Sequence, residues 1–221
     1  MTIRLASIAV VALAAVVAPE SSDAGPVTGR VQTLSAEGVA PASAIVYAEP
    51  IDASAARAPA RLTLGQKNKT FQPHILAVPV GSTVAFPNND QIFHNVFSLS
   101  GPQPFDLGLY RGGATRERQF TRPGTYRVFC NIHPQMTAVV VVVPTPFTTS
   151  AGADGRFVLE LPPGRYRVTA LSERAEPATV EVVSTSGAVT APEITLDERA
   201  WAFVRHKNKH GQDYPAAAYK Q

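Results

Sequence analysis

Cysteine is almost missing from this chain: one in 221 residues. A disulfide-built scaffold is therefore excluded. Methionine (2) and tryptophan (1) are as scarce, and charged residues make up only 17%. The formal net charge is +3, with no Lys/Arg block and no aromatic platform, so nothing points to nucleic acid. Beyond the N-terminus no stretch approaches the roughly 18 apolar residues of a membrane span. No window carries a convincing 3.6-residue apolar stripe either, so helices are not expected. Proline (19) and glycine (15) are plentiful, and 45% of residues are hydrophobic. That balance excludes disorder and collagen, and it suits many short strands joined by turns. The length allows one large domain or two small ones.

Residues 1–24 read as a secretory signal. Arg4 supplies the positive start, Leu5 to Ala18 is an apolar run of about 14 residues, and Ser22-Asp23-Ala24 offers a small–x–small cleavage site. The run is short for a membrane anchor, and no cysteine follows it to carry a lipid. The expected location is the periplasm, with no stable membrane insertion after cleavage. Removing the signal takes Met1 with it and leaves one cysteine, Cys130, and one methionine, Met136, with His133 midway between them. A lone thiol in an oxidising compartment is a liability unless it is protected or used.

Between Pro26 and Leu196 the chain reads as β. Alternating or wholly apolar runs are broken by Gly, Pro, Asn and Asp clusters, as in Val27–Thr33, Ser43–Ala48, Ile75–Val80, Thr83–Phe86, Thr125–Cys130, Thr137–Val143, Arg156–Leu161, Arg165–Ala170 and Ala178–Val183. Strands at this spacing predict an all-β sandwich or barrel class. Composition shifts at 52–60 and 144–154 mark two connectors, and a basic, polar tail fills 199–221.

Chemistry concentrates in the central segment. Tyr126-Arg127-Val128-Phe129 leads into Cys130-Asn131-Ile132-His133-Pro134-Gln135-Met136, and upstream His94 follows Asn88-Asn89-Asp90-Gln91-Ile92-Phe93. Two histidines, a cysteine and a weakly bonding methionine make the ligand set of a blue-copper electron-transfer site. Zinc is the main metal alternative, though it usually takes a fourth strong ligand instead of a thioether. Coincidental core filling is the other reading of the four residues, since cysteine is often a small buried hydrophobe.

At this point a resemblance becomes specific. Residues 60–145 resemble a cupredoxin of the plastocyanin and amicyanin type, through Val80-Gly81-Ser82-Thr83-Val84, His94-Asn95-Val96, Gly124-Thr125-Tyr126 and the C-x2-H-x2-M loop. The resemblance implies a Greek-key β-sandwich holding one type 1 copper ion. His94 and His133 would bind through ring nitrogens, Cys130 as thiolate and Met136 as the long axial donor. It also implies that Asn95 ties the ligand loops together through a Ser or Thr just after the cysteine, where this chain has Asn131. Phe93, Phe97, Phe105 and Pro134 fall near these loops, as core or as an apolar ring around His133.

The stretch from Thr148 to Val168, with Asp154-Gly155-Arg156-Phe157 and Pro162-Pro163-Gly164-Arg165-Tyr166, resembles the middle of a carboxypeptidase-regulatory, transthyretin-like sandwich. Its beginning resembles Thr28-Gly29-Arg30-Val31 and Ser43-Ala44-Ile45-Val46-Tyr47. The expected organisation is therefore a second small β-sandwich, residues 25–59 and 146–198, split by insertion of the cupredoxin. The overall pattern resembles methylamine-utilisation-associated proteins. The expected function is that of a non-enzymatic one-electron carrier whose redox-protein partner docks near His133. Copper delivery and a cell-envelope binding module stand as alternatives. A multicopper enzyme is disfavoured, since only His74, His206 and His210 remain and form no H-x-H pair. His206 and His210 could share a helical face, but a solvated basic tail is the simpler expectation; His74 reads as a partly exposed residue at a strand start.

Overall fold

The computed structural model describes residues 24–54, 58–215 and 218. Apart from Ala24, the expected signal lies outside the described residues. Among the described residues there is no α-helix, and eighteen strands account for the regular structure. The chain opens with β1 (Gly25–Leu34) and β2 (Ala44–Pro50). The middle holds β3 (Arg61–Thr63), β4 (Gly65–Lys67), β5 (Thr70–Gln72), β6 (Ile75–Pro79) and β7 (Thr83–Pro87). It continues through β8 (His94–Ser98), β9 (Phe105–Tyr110), β10 (Thr115–Gln119), β11 (Gly124–Phe129) and β12 (Thr137–Val143). Then come β13 (Thr148–Ser150), β14 (Arg156–Leu161), β15 (Gly164–Ser172), β16 (Ala178–Ser184), β17 (Val189–Thr190) and β18 (Ile194–Asp197).

Every strand expected from alternation is present, with ends shifted by up to two residues. The connector expected at 144–154 instead contains β13, which pairs with β2. Strands β1 and β2 pair with late strands: β1 with β14, β17 and β18, and β2 with β13 and β15. The middle strands pair among themselves, in the orders β10-β7-β3 and β6-β12-β11-β8-β9, with β4-β5 as a separate hairpin.

The four larger sheets stack with an apolar layer between each neighbouring pair. Strand β12 explains how. Its residues alternate faces: Ala138, Val140 and Val142 join Phe86, Phe120 and Tyr126 in one core. Val139, Val141 and Val143 join Ile45 of β2 and Leu171 of β15 in another. Full burial of one valine contributes roughly 1.5–3 kcal/mol, so a strand used on both faces has to be apolar throughout. A third core, around Val27, Leu161, Tyr166, Val168 and Leu196, fills the space between the β1 and β2 sheets.

A polar latch reinforces the apolar seam. His74, just before β6, meets Glu173, just after β15, at 2.5 Å, and Arg127 of β11 lies 3.6 Å from the other carboxylate oxygen. The His74 hydrogen bond holds the Glu173 carboxyl below its ordinary value against the opposing effect of burial, helped by the charges of Arg127 and Arg174. A depressed carboxylate contributes stability that is complete above its unfolded value of 4.5 and disappears as pH falls through the folded one. Between about pH 6 and about pH 3, wild type should therefore lose more stability than Glu173→Gln in urea unfolding. Parallel losses would show that the latch adds nothing.

Candidate metal centre

Antiparallel pairing sets the site. Phe129, the last residue of β11, lies opposite Phe97 near the end of β8, and the antiparallel run beyond it carries the chain toward the start of β8. Cys130 and His94 therefore arrive at the same end of one sheet. His94 comes after β7 and opens β8. The loop back to β12 is closed by two backbone bonds, Cys130 N–H to Met136 O (3.1 Å) and Met136 N–H to His133 O (2.9 Å).

Three of the four expected donors come together. His94 Nδ1 lies 3.1 Å from His133 Nδ1, and Cys130 Sγ lies 3.9 and 3.6 Å from those two nitrogens. The point equidistant from the three atoms is about 2.1 Å from each, close to ordinary metal–nitrogen and metal–sulfur bond lengths. A small ion fits that cradle without rearrangement. Met136 closes the same loop through its backbone, and its side chain is fully buried in the core that contains Cys130. His94 and Cys130 have no exposed surface, whereas His133 is partly exposed.

The electrostatics favour the ligand form at His133 and oppose it at Cys130, whose thiol must lose a proton to bind a metal. Burial pushes the Cys130 thiol up, only partly countered by the N–H groups of Asn95, Ile132 and His133. The Asn95 N–H donates to Sγ at 3.4 Å. Burial likewise holds His133 below its ordinary value, with His94 and Lys69 adding to the effect. A lowered histidine is a neutral imidazole with a lone pair, which is the ligand form.

One residue that the sequence reading passed over completes the centre. His94 Nε2–H donates to Asp90 Oδ2 at 2.8 Å, which leaves Nδ1 to face the other donors. Asp90 is held in turn by the Asn68 N–H (2.7 Å) and the Lys69 N–H (2.9 Å). Burial raises this carboxyl, but the Lys69, His94 and Asn68 hydrogen bonds together keep it below its ordinary value. Asn68 and Lys69 both have φ near +55°, the conformation of a tight hairpin turn between β4 and β5, and it aims their N–H groups at Asp90. Gly112 lets the neighbouring loop close in, since a Cβ there would stand 2.1 Å from Asp90 O. Asn88 shapes the same loop, donating to Ile92 O at 2.8 Å and accepting from Asp90 N–H.

The Asn95 tie departs from the family pattern. Its Nδ2 donates to Asp106 Oδ1 at 2.7 Å, its Oδ1 is buried without a partner, and Asn131 bonds elsewhere. Of the four apolar residues near the loops, Phe97, Phe105 and Pro134 are buried, and Phe93 is 54% exposed. His74 belongs to the latch with Glu173 and not to the donor group. His206 and His210 lie on no helix; the segment that carries them folds back over the ligand loop.

Comparison with known proteins agrees with this geometry. Residues 60–143 match the model of the copper binding proteins, plastocyanin/azurin family. Amicyanin-alpha of Methylorubrum extorquens is 35% identical over 75 residues, which is 33% of this chain and 63% of that protein. The chain therefore spans less than two thirds of the curated relative. Among solved structures, an oxidized amicyanin mutant is similar over 37% of this chain and 81% of its own, at 26% identity and TM-score 0.35. A copper-containing nitrite reductase from Thermus scotoductus is similar over 43% of this chain and 25% of its own, at 31% identity and TM-score 0.37. Residues 60–143 thus match the copper-binding plastocyanin/azurin family and are similar to amicyanin, and their His94, Cys130 and His133 group suits a type 1 copper ion.

Proposed function

We propose that the protein is a periplasmic one-electron carrier. It would hold one copper ion through Nδ1 of His94 and His133, the Cys130 thiolate and, more weakly, the Met136 thioether. The observation that carries this reading is the triangle of one soft and two borderline donors, with all three atoms within 4.8 Å of one another. Copper bound there would supply a Cu(I)/Cu(II) couple. The chain's own residues supply rigidity: β8, β11 and the Asp90 hydrogen bond hold the donors, so little rearrangement accompanies a change of oxidation state.

Accessibility argues for a carrier over a delivery protein or an enzyme. With His94, Cys130 and Met136 wholly buried, neither an exchanging metal site nor a substrate has an approach from their side. His133 is the ligand nearest solvent, flanked by exposed Ile132, and Phe93 is exposed next to His94. These residues support a redox-protein partner docking over His133. We read the two sheets outside 60–145 as one transthyretin-like, carboxypeptidase-regulatory-like sandwich interrupted by the copper domain. Support comes from the pairing of β1 and β2 with strands that follow Phe147. The periplasmic location rests on the sequence of residues 1–24.

The test is the visible and EPR spectrum of the protein with one equivalent of Cu(II), followed by a reversible redox titration. A single tight, intensely coloured site that cycles without loss of metal is expected. A colourless, weakly held copper would sink the carrier reading.

A further inference from the structure

The tail that reads as solvated is braced against the ligand loop at three points. The His206 ring lies flat on Phe129, with centroids 4.0 Å apart and planes 18° from parallel, and its Nε2–H donates to Pro134 O at 2.6 Å. Lys209 N–H donates to Asn131 Oδ1 at 3.0 Å, and Tyr214 OH donates to Asn131 O at 3.0 Å. Phe129 precedes Cys130, Asn131 follows it and Pro134 follows His133, so the grip brackets two of the three clustered donors.

Local structure makes the tail able to grip. Asn208 builds a compact turn: its side chain accepts from His210 N–H and Gln212 N–H, and its own N–H donates to Gln212 O. Gly211, at φ +77°, completes the turn that presents Lys209. Lys209 Nζ then donates to Asp106 Oδ2 at 2.8 Å, while Asp106 Oδ1 accepts from Asn95 Nδ2. Burial raises the Asp106 carboxyl, but the bonds from Lys209, Asn95 and Gly108 N–H hold it below its ordinary value. A relay of Asn95, Asp106, Lys209 and Asn131 thus joins the residue after His94 to the residue after Cys130. The expected direct link between the two loops is replaced by one that passes through the tail.

We infer that segment 201–215 is a positioning element of the metal centre, with His206, Lys209 and Tyr214 fixing the Cys130–Met136 loop from outside the matched copper domain. As a tuning device this rests on the copper reading; as a brace on the loop it does not. The experiment compares full-length wild type with His206→Phe/Lys209→Met. Phenylalanine keeps the stacking and loses the N–H, and methionine keeps the stem and loses the ammonium.

In metal-free protein, amide exchange at Cys130 and Met136 should accelerate roughly tenfold in the variant, with Val139–Val142 unchanged. In copper-loaded protein the EPR spectrum and the reduction potential should move together, and Lys209→Arg alone should behave as wild type. Exchange at Cys130 and Met136 equal to wild type would overturn the inference, as would acceleration confined to the tail. Faster loop exchange in a protein that takes up no copper leaves the brace standing and removes the copper reading. A blue protein with unchanged exchange does the reverse. If the double variant exchanges everywhere and so fails to fold, Tyr214→Phe, which deletes one hydroxyl, gives the decisive comparison at the same two amides.

Discussion

Cys130→Ser is expected to abolish the intense visible absorption of the copper-loaded protein and most of its copper affinity. The sulfur is the one soft donor in the triangle, and it stands 3.6 and 3.9 Å from the two ring nitrogens. Serine offers a hard oxygen that stays protonated near neutral pH, leaving two imidazoles as the only strong ligands. Loss of a group that merely orients a ligand typically costs about 10–100-fold in metal affinity. Loss of the ligand itself should cost more than that. The fold should survive, because the serine hydroxyl is close in size and can accept from the Asn95 N–H that now points at Sγ. The check is a copper titration followed by absorption and EPR, beside urea unfolding of both metal-free proteins. A variant that keeps the strong absorption would place the colour, and the copper, elsewhere.

The strands were legible where one face is buried and the other wet, as in Arg156–Leu161 with its strict alternation. They were also legible where both faces are buried, as in Thr137–Val143. Thr115–Gln119 was not, because every residue in TRERQ is polar and the strand is held at a sheet edge by backbone pairing to β7. The β4–β5 hairpin was hidden for another reason. Its turn places Asn68 and Lys69 at positive φ without a glycine to announce it.

At the site, the donors were legible because the chemistry needs rare residue types at short spacing. Their supports were not. Lys209 lies 103 positions from Asp106, so no local pattern joins the pair. A basic tail rich in Lys, Arg and His looks solvated until its partners are known. Asp90 was within reach, four residues before His94, yet it read as a turn former among Asn88 and Asn89.

Removing that carboxylate with Asp90→Ala should lower copper affinity about 10–100-fold and raise the reduction potential. Asp90 accepts three N–H groups, from Asn68, Lys69 and His94. Its negative charge pushes electron density into the His94 ring and favours the more positive copper state, so its loss should favour Cu(I) and raise the potential. Without it, the Nε2–H of His94, whose side chain is wholly buried, loses its acceptor. An orphaned buried donor costs about 1–3 kcal/mol, and the ring can recover part of that by turning Nδ1 away from His133. Asp90→Asn separates the two effects. Its amide oxygen can still serve His94 and Lys69, but its NH2 then confronts the Asn68 N–H, and the charge is gone. The asparagine variant should keep most of the affinity while sharing the raised potential. If alanine instead leaves both affinity and potential at wild-type values, β8 packing alone aims the ring, and Asp90 only fastens the Asn68–Lys69 turn to its neighbour.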